Sequence, residues 1–164
     1  MSRTLQFQRG KSPSIGPKAA IAAWYIVCAA AAASLTLAGP AAAGRPGDPG
    51  RQAALLLYIG GSYLGTASEH ARHVWKARPE NAGRLYTEGL FRHSRHVNYF
   101  GDLLVFGGFG LLTRQAWTAA VPLAMAVNFA LVIIPAHDAY LAERYGQEFD
   151  AYARRTKKLI PFLY

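Results

Sequence analysis

The chain has 164 residues, 52% of them hydrophobic, and a formal net charge of +9. The length suits one soluble domain. However, the apolar residues are gathered into nearly charge-free runs separated by basic segments, which excludes an ordinary soluble core and disfavours a nucleic-acid-binding surface. Cys28 is the single cysteine, which excludes an intramolecular disulfide.

Residues 1–18 hold Arg3, Arg9, Lys11 and Lys18 and read as a disordered basic tail. Residues 19–164 read as the membrane domain. Residues 19–39 carry no charge over twenty-one positions, about the length needed to cross a bilayer core as a helix. A signal peptide ending at Ala41-Ala42-Ala43 is the alternative, but its apolar part is long for that purpose, which favours an uncleaved first span. The Gly- and Pro-rich stretch 39–50 predicts an exposed loop. A second span is predicted over 53–68, short and Gly-rich but uncharged. Residues 69–98 predict a polar connection. A third span follows over 99–113, carrying Asp102 near its start, and a fourth over 117–136. Residues 114–116 are too few for anything but a tight turn, so the last two spans form a hairpin. From His137 to about Thr156 the spacing of Tyr140, Leu141, Tyr145, Phe149 and Tyr152 predicts a further helix. Its stripe would lie along the bilayer surface or pack beneath the bundle. The expected fold is therefore all-α, an integral membrane bundle of about four transmembrane helices plus a C-terminal cytoplasmic or interfacial helix.

Fifteen of the 18 Lys and Arg residues fall in segments 1–18, 69–98 and 137–164, which four spans would put on one side. The positive-inside rule then places both termini in the cytoplasm, at the inner membrane if the source is bacterial.

The 69–98 connection is unusually rich in chemistry. It holds Glu69, His70, His73, Trp75, Lys76, Arg92, His93, Arg95 and His96, followed by Asn98, Tyr99 and Asp102. Asp102 is costly inside a span unless it faces a polar cavity or a partner, which makes it a functional candidate. Arg and Lys side chains can hold phosphate or carboxylate groups. Together these residues predict a cationic mouth where a charged soluble cofactor meets a lipid held between helices. The plainer reading is that the basic residues only fix topology and bind anionic lipid heads. His70/His73 and His93/His96 are HxxH pairs, but five histidines in all are too few for a di-metal membrane desaturase. No metal site is predicted.

The run Gly89-Leu90-Phe91-Arg92-His93-Ser94-Arg95-His96-Val97-Asn98-Tyr99-Phe100-Gly101-Asp102 resembles the Gly-Leu-(aromatic)…Arg-His-x-Asn-Tyr-x-Gly-(Asp/Glu) signature of the steroid and sterol reductase superfamily. Tyr145-Gly146, Tyr152 and the terminal Ile160-Pro161-Phe162 resemble its C-terminal pattern. The likeness runs over about 75–164 and is nearest to bacterial membrane proteins named for the steroid 5-alpha-reductase C-terminal domain. The superfamily also holds isoprenylcysteine carboxyl methyltransferases, whose motif usually has Pro where Val97 stands. That difference, and Asp102 after the glycine, lean towards the reductases. The resemblance implies NADPH as cofactor, with S-adenosylmethionine as the alternative. It implies reduction of a carbon–carbon double bond in a steroid-like or isoprenoid lipid within the bilayer; the alternatives are methyl transfer and an inactive membrane scaffold. It further implies a cofactor pocket lined by Arg95, His96, Asn98, Tyr99 and Asp102, with His137 or Asp138 and Tyr152 near further contacts. Arg92 and Arg95 would clamp a phosphate. Tyr99, Asp102 or Glu69 would supply the proton. Reductases of this kind usually have more spans ahead of the motif than the two predicted here.

Overall fold

The computed structural model describes residues 47–164; the predicted tail, the first span and Cys28 lie outside the described residues. Helix α1 covers Pro49–Lys76, α2 Val97–Thr113, α3 Ala120–Asn128, α4 Ile134–Tyr145 and α5 Gln147–Arg155. Between α3 and α4 the helix widens into a π turn, Phe129–Ile133, so Ala116–Tyr145 runs as one helix of 30 residues. No strand forms among the described residues. An isolated parallel bridge joins Ser94 to Lys157.

Asp48 caps α1, its carboxylate accepting from the Arg51 N–H at 3.1 Å, and Pro49 occupies the first turn where its missing N–H costs nothing. The Arg114 guanidinium also pairs with Asp48, tying the start of α1 to the turn between α2 and α3 and holding the Asp48 carboxyl below its usual range. Helices α1 and α2 touch backbone to backbone. A Cβ on Gly61 would lie 2.4 Å from the Gly101 carbonyl oxygen, and one on Gly108 would lie 2.7 Å from that of Ala54. Only glycines permit this approach.

Helix α1 is longer than the predicted second span and absorbs residues 69–76 of the expected connection. No Gly or Pro interrupts residues 67–76, and the helix ends only where Pro79 forces Arg78 into an extended conformation (φ −79°, ψ 130°). The tail helix is also divided. Gly146, at φ +51°, ends α4 and α5 begins at once. The predicted third span coincides closely with α2.

Among the described residues, Ala116–Tyr145 alone is long and apolar enough to cross a membrane; α2 is apolar but 17 residues long. One face of the long helix is left uncovered by the described residues: Leu123 and Leu131 are 65% and 72% exposed. Its other face buries Met125, Phe129 and Ile134 against Leu159, Phe100 and Leu103.

Candidate functional site

Residues 77–96 fold back over one end of the helices and are fastened there to the C-terminal segment. The Tyr152 hydroxyl donates to the Phe91 carbonyl at 2.7 Å, and the Leu85 N–H donates to Glu148 at 3.1 Å. Backbone N–H groups of Arg95 and His96 donate to the carbonyls of Lys157 and Lys158, and the Ser94 hydroxyl donates to that of Leu159 at 2.7 Å. Burial raises the pKa of both the Tyr152 and Tyr86 hydroxyls, so the Tyr152 donor stays protonated well above neutral pH.

Under this lid Arg95, His96 and Asp138 form a buried cluster. The Arg95 guanidinium donates to the Ala153 and Thr156 carbonyls at 3.0 and 2.7 Å and to Asp138 at 2.9 Å. His96 Nε2 shares a 2.9 Å hydrogen bond with the other Asp138 oxygen. The His96 ring stacks on Tyr99 with a centroid distance of 5.3 Å, and Tyr99 stacks on Phe129 at 4.9 Å. The cluster thus locks the Arg-His pair to α4 and fixes the Tyr99 ring.

Beside it lies a cavity of about 290 Å³ whose polar walls include Glu69, Arg72, Lys76, Arg95, Asn98 and His137. Tyr99, Tyr145 and Tyr152 also line it, over an apolar floor that includes Leu85 and Leu141. Three shielded polar atoms on its walls make no hydrogen bond within the described protein: Glu69 Oε1, Arg95 Nε and His137 Nδ1. Buried polar groups are nearly always satisfied, so an acceptor, a donor and an imidazole nitrogen left over in one cavity mark a place for a polar ligand. The cations are largely committed. Arg72 pairs with Glu69 and lies 5.8 Å over the Phe91 ring, and Lys76 donates to the Arg84 carbonyl at 2.6 Å and the Tyr145 hydroxyl at 2.9 Å.

A second, more open groove of about 460 Å³ runs between α1 and α2, lined by Ser62, Thr66, Glu69, Asn98 and Asp102 among others. Glu69 and Asn98 are common to both.

Of the residues singled out in the sequence, Glu69, Arg95, His96, Asn98, Tyr99, His137 and Tyr152 converge on the cavity, and Asp138 stands behind it as the partner of Arg95 and His96. Asp102 faces the neighbouring groove instead. Arg92 is exposed and lines neither space, because it falls on the outer side of the Gly89–Arg92 turn. Sequence reasoning missed Arg72, Tyr86 and the cavity-facing role of Leu141 and Tyr145. Arg72 carried a signal, being three residues beyond Glu69 on a helix. Tyr86 carried none.

A family model described as "Protein of unknown function (DUF1295)" matches residues 20–156. The chain is 29% identical over 98 residues to "Protein-S-isoprenylcysteine O-methyltransferase B" of Arabidopsis thaliana, covering 60% of this chain and 50% of that protein. It is 29% identical over 99 residues to "Probable protein-S-isoprenylcysteine O-methyltransferase" of Oryza sativa subsp. japonica, covering 60% and 51%. It is 25% identical over 118 residues to "3-oxo-5-alpha-steroid 4-dehydrogenase 1" of Bos taurus, covering 71% and 43%. The chain spans about half the length of the curated relatives it matches. Both kinds of name belong to the superfamily that the two sequence motifs resemble.

Proposed function

The chain belongs to the family described as "Protein of unknown function (DUF1295)", and on that footing we propose that it is a membrane enzyme transferring a methyl group from S-adenosylmethionine to a lipid-borne acceptor. The observation that carries this reading is the mixed character of the unsatisfied atoms in the 290 Å³ cavity, a carboxylate oxygen beside a guanidinium N–H and an imidazole nitrogen. A zwitterionic amino acid joined to a ribose matches such walls. Glu69 Oε1 accepts from an ammonium or a ribose hydroxyl, while Lys76 and Arg95 Nε donate to a carboxylate. The volume lies near the lower end of small-molecule sites, which run from roughly 300 Å³ upward, and suits a nucleoside-sized ligand better than a dinucleotide. Bound there, the cofactor supplies an electrophilic methyl group. The chain's own part is to hold it by Glu69, Lys76 and Arg95, to keep the Tyr99 ring rigid beside it, and to exclude bulk water with the 77–96 lid.

NADPH-dependent reduction is the second reading. It is favoured by the Asn98-Tyr99-x-Gly101-Asp102 run and by the steroid 4-dehydrogenase match, which covers 71% of the chain. Against it, Arg92 is exposed away from the cavity and Arg72 is paired with Glu69, so Lys76 and the Arg95 Nε–H are the cationic donors left on the walls, enough for one carboxylate but few for the several phosphates of a dinucleotide. The setting we propose is a four-crossing bundle with residues 19–39 as the first crossing, both termini in the cytoplasm, and the cavity at the cytoplasmic rim. The segregation of fifteen basic residues and the uncovered apolar face of Ala116–Tyr145 support it.

Calorimetric titration of the detergent-solubilised protein with each cofactor separately tests the assignment. The expected result is saturable binding of S-adenosylmethionine, weakened in Glu69→Gln and Lys76→Ala. Saturable binding of NADPH alone would overturn it.

A further inference from the structure

The groove between α1 and α2 shares a wall with the cavity yet has a different electrostatic character. Among the described residues its lining contains two carboxylates, Glu69 and Asp102, two hydroxyls, Ser62 and Thr66, the Asn98 amide, and no Lys, Arg or His. Glu69 is met by Arg72 on its cavity side. Asp102 forms no ion pair or hydrogen bond with the described residues. A carboxylate on an otherwise apolar helix is costly without a cation or donors to meet it, so Asp102 looks for its partner in the groove. Glu69, which lines both spaces, adds a second negative charge where the groove meets the cavity.

The groove exists because of a missing side chain. Gly61 and Gly101 bring the helices into contact, whereas a Cβ on Gly65 would meet no heavy atom within 4 Å. Gly101 packs against the backbone of both Gly61 and Gly65, but the missing side chain of Gly65 points away from that contact into open space and leaves the groove unfilled.

We propose that this groove binds the head of an amphiphile carrying a cationic amine, and discriminates against one carrying a carboxylate. This rests on reading the adjoining cavity as the methyl-donor site, with the groove holding the acceptor. An ammonium group fits as a donor to Asp102, with Ser62, Thr66 and Asn98 completing its shell. A carboxylate there faces Asp102 with no compensating cation, and like charges at contact distance repel strongly at the low effective dielectric of a partly buried site. For methyl transfer the bound ammonium first gives one proton to the Asp102 carboxylate; the freed nitrogen lone pair then forms the N–CH3 bond as the donor's S–CH3 bond breaks, releasing S-adenosylhomocysteine as a neutral thioether. The acceptor atom is thus a nitrogen, unlike the oxygen in the printed names of the O-methyltransferase relatives.

The test uses the full chain in detergent with three probes of one chain length, dodecylamine, dodecanol and dodecanoate, each titrated by calorimetry with and without S-adenosylmethionine. The expected result is saturable binding of dodecylamine at least about tenfold tighter than of the other two, the scale of one partly screened charge contact. Asp102→Asn, which keeps the shape and removes the charge, is expected to abolish that preference. Gly65→Leu, which fills the groove without meeting another atom at its Cβ, is expected to abolish dodecylamine binding while the protein melts no lower than the parent. The proposal fails if dodecanoate or dodecanol binds as tightly as the amine, or if either variant binds the amine like the parent. Selective amine binding without S-adenosylmethionine binding would uphold the groove and sink the cofactor assignment; the converse would do the opposite.

Discussion

Replacing Asp138 by Ala removes the shared partner of Arg95 and His96, whose side chains are 6% and 2% exposed. Two 2.9 Å hydrogen bonds are lost, and Arg95 is left as a buried cation with only the Ala153 and Thr156 carbonyls to face. Breaking a buried ion pair by removing one partner costs about 3–5 kcal/mol. Asp138 itself keeps 17% exposure, which lets water reach the vacated site and favours the lower end, about 3 kcal/mol. For a chain of this size each kcal/mol lowers the melting temperature by roughly 2–4 °C, so the variant should melt about 6–12 °C below the parent. The assay is thermal unfolding of the detergent-solubilised protein, with exposed Arg92→Ala as control, expected within about 0.5 kcal/mol of the parent. Asp138→Asn, which keeps one acceptor, should fall between. If Asp138→Ala melts no lower than Arg92→Ala, the cluster does not hold the lid to α4.

The same melts check the helix contact. Gly61→Ala places a Cβ 2.4 Å from the Gly101 oxygen, an overpacking that should cost about 1–3 kcal/mol. Gly65→Ala meets nothing and should be neutral or gain up to about 1 kcal/mol from helix propensity. Tyr152→Phe removes the 2.7 Å bond to the Phe91 carbonyl and should cost about 1–2 kcal/mol. Because burial raises the folded pKa of Tyr152 above its unfolded value, stability is complete below about pH 10 and declines above it; melts from about pH 9 to 11 should fall less steeply in Tyr152→Phe. Deleting exposed Val132 from the π turn should be tolerated, whereas deleting Ala124 from the regular helix before it should abolish folding, as judged by cooperative melting and far-ultraviolet circular dichroism.

What could be read in the sequence was whatever a local pattern encodes. The α2 boundaries were legible because an apolar run is closed at one end by Arg-His and at the other by Arg114. The far end of α1 was not, because charged residues from Glu69 onward look like the end of a span although nothing there breaks a helix before Pro79. The convergence of Glu69, Arg95, Asn98 and Tyr99 followed from their crowding near one helix end. The Arg95–Asp138 and His96–Asp138 pairs join positions 43 and 42 residues apart, and no feature of a single sequence ties them. Arg92 shows the complementary error. It lies close to Arg95 in sequence, but a single helical turn puts the two on opposite sides of the lid.

The π turn explains why two polar residues that follow an apolar span meet the cavity and its buried cluster rather than lipid. In an unbroken α-helix the inward face that contains Met125 and Phe129 continues at position 132 or 133. Val132 is 46% exposed and Ile133 only partly buried at the edge of that core, and the next fully buried side chain comes one position later, at Ile134. The widened turn absorbs one extra residue, and Pro135, which has no N–H to give back to Leu131, is accommodated just after it. From Ile134 the regular spacing carries the inward face through His137 and Asp138 to Leu141 and Tyr145, so one helix presents Leu123, Val127 and Leu131 outward and delivers an imidazole and a carboxylate inward. Removing the extra residue leaves that phase intact, which is why the deletion at Val132 is survivable. Removing one from an ordinary turn swings His137 and Asp138 by roughly 100°, out of reach of Arg95 and His96.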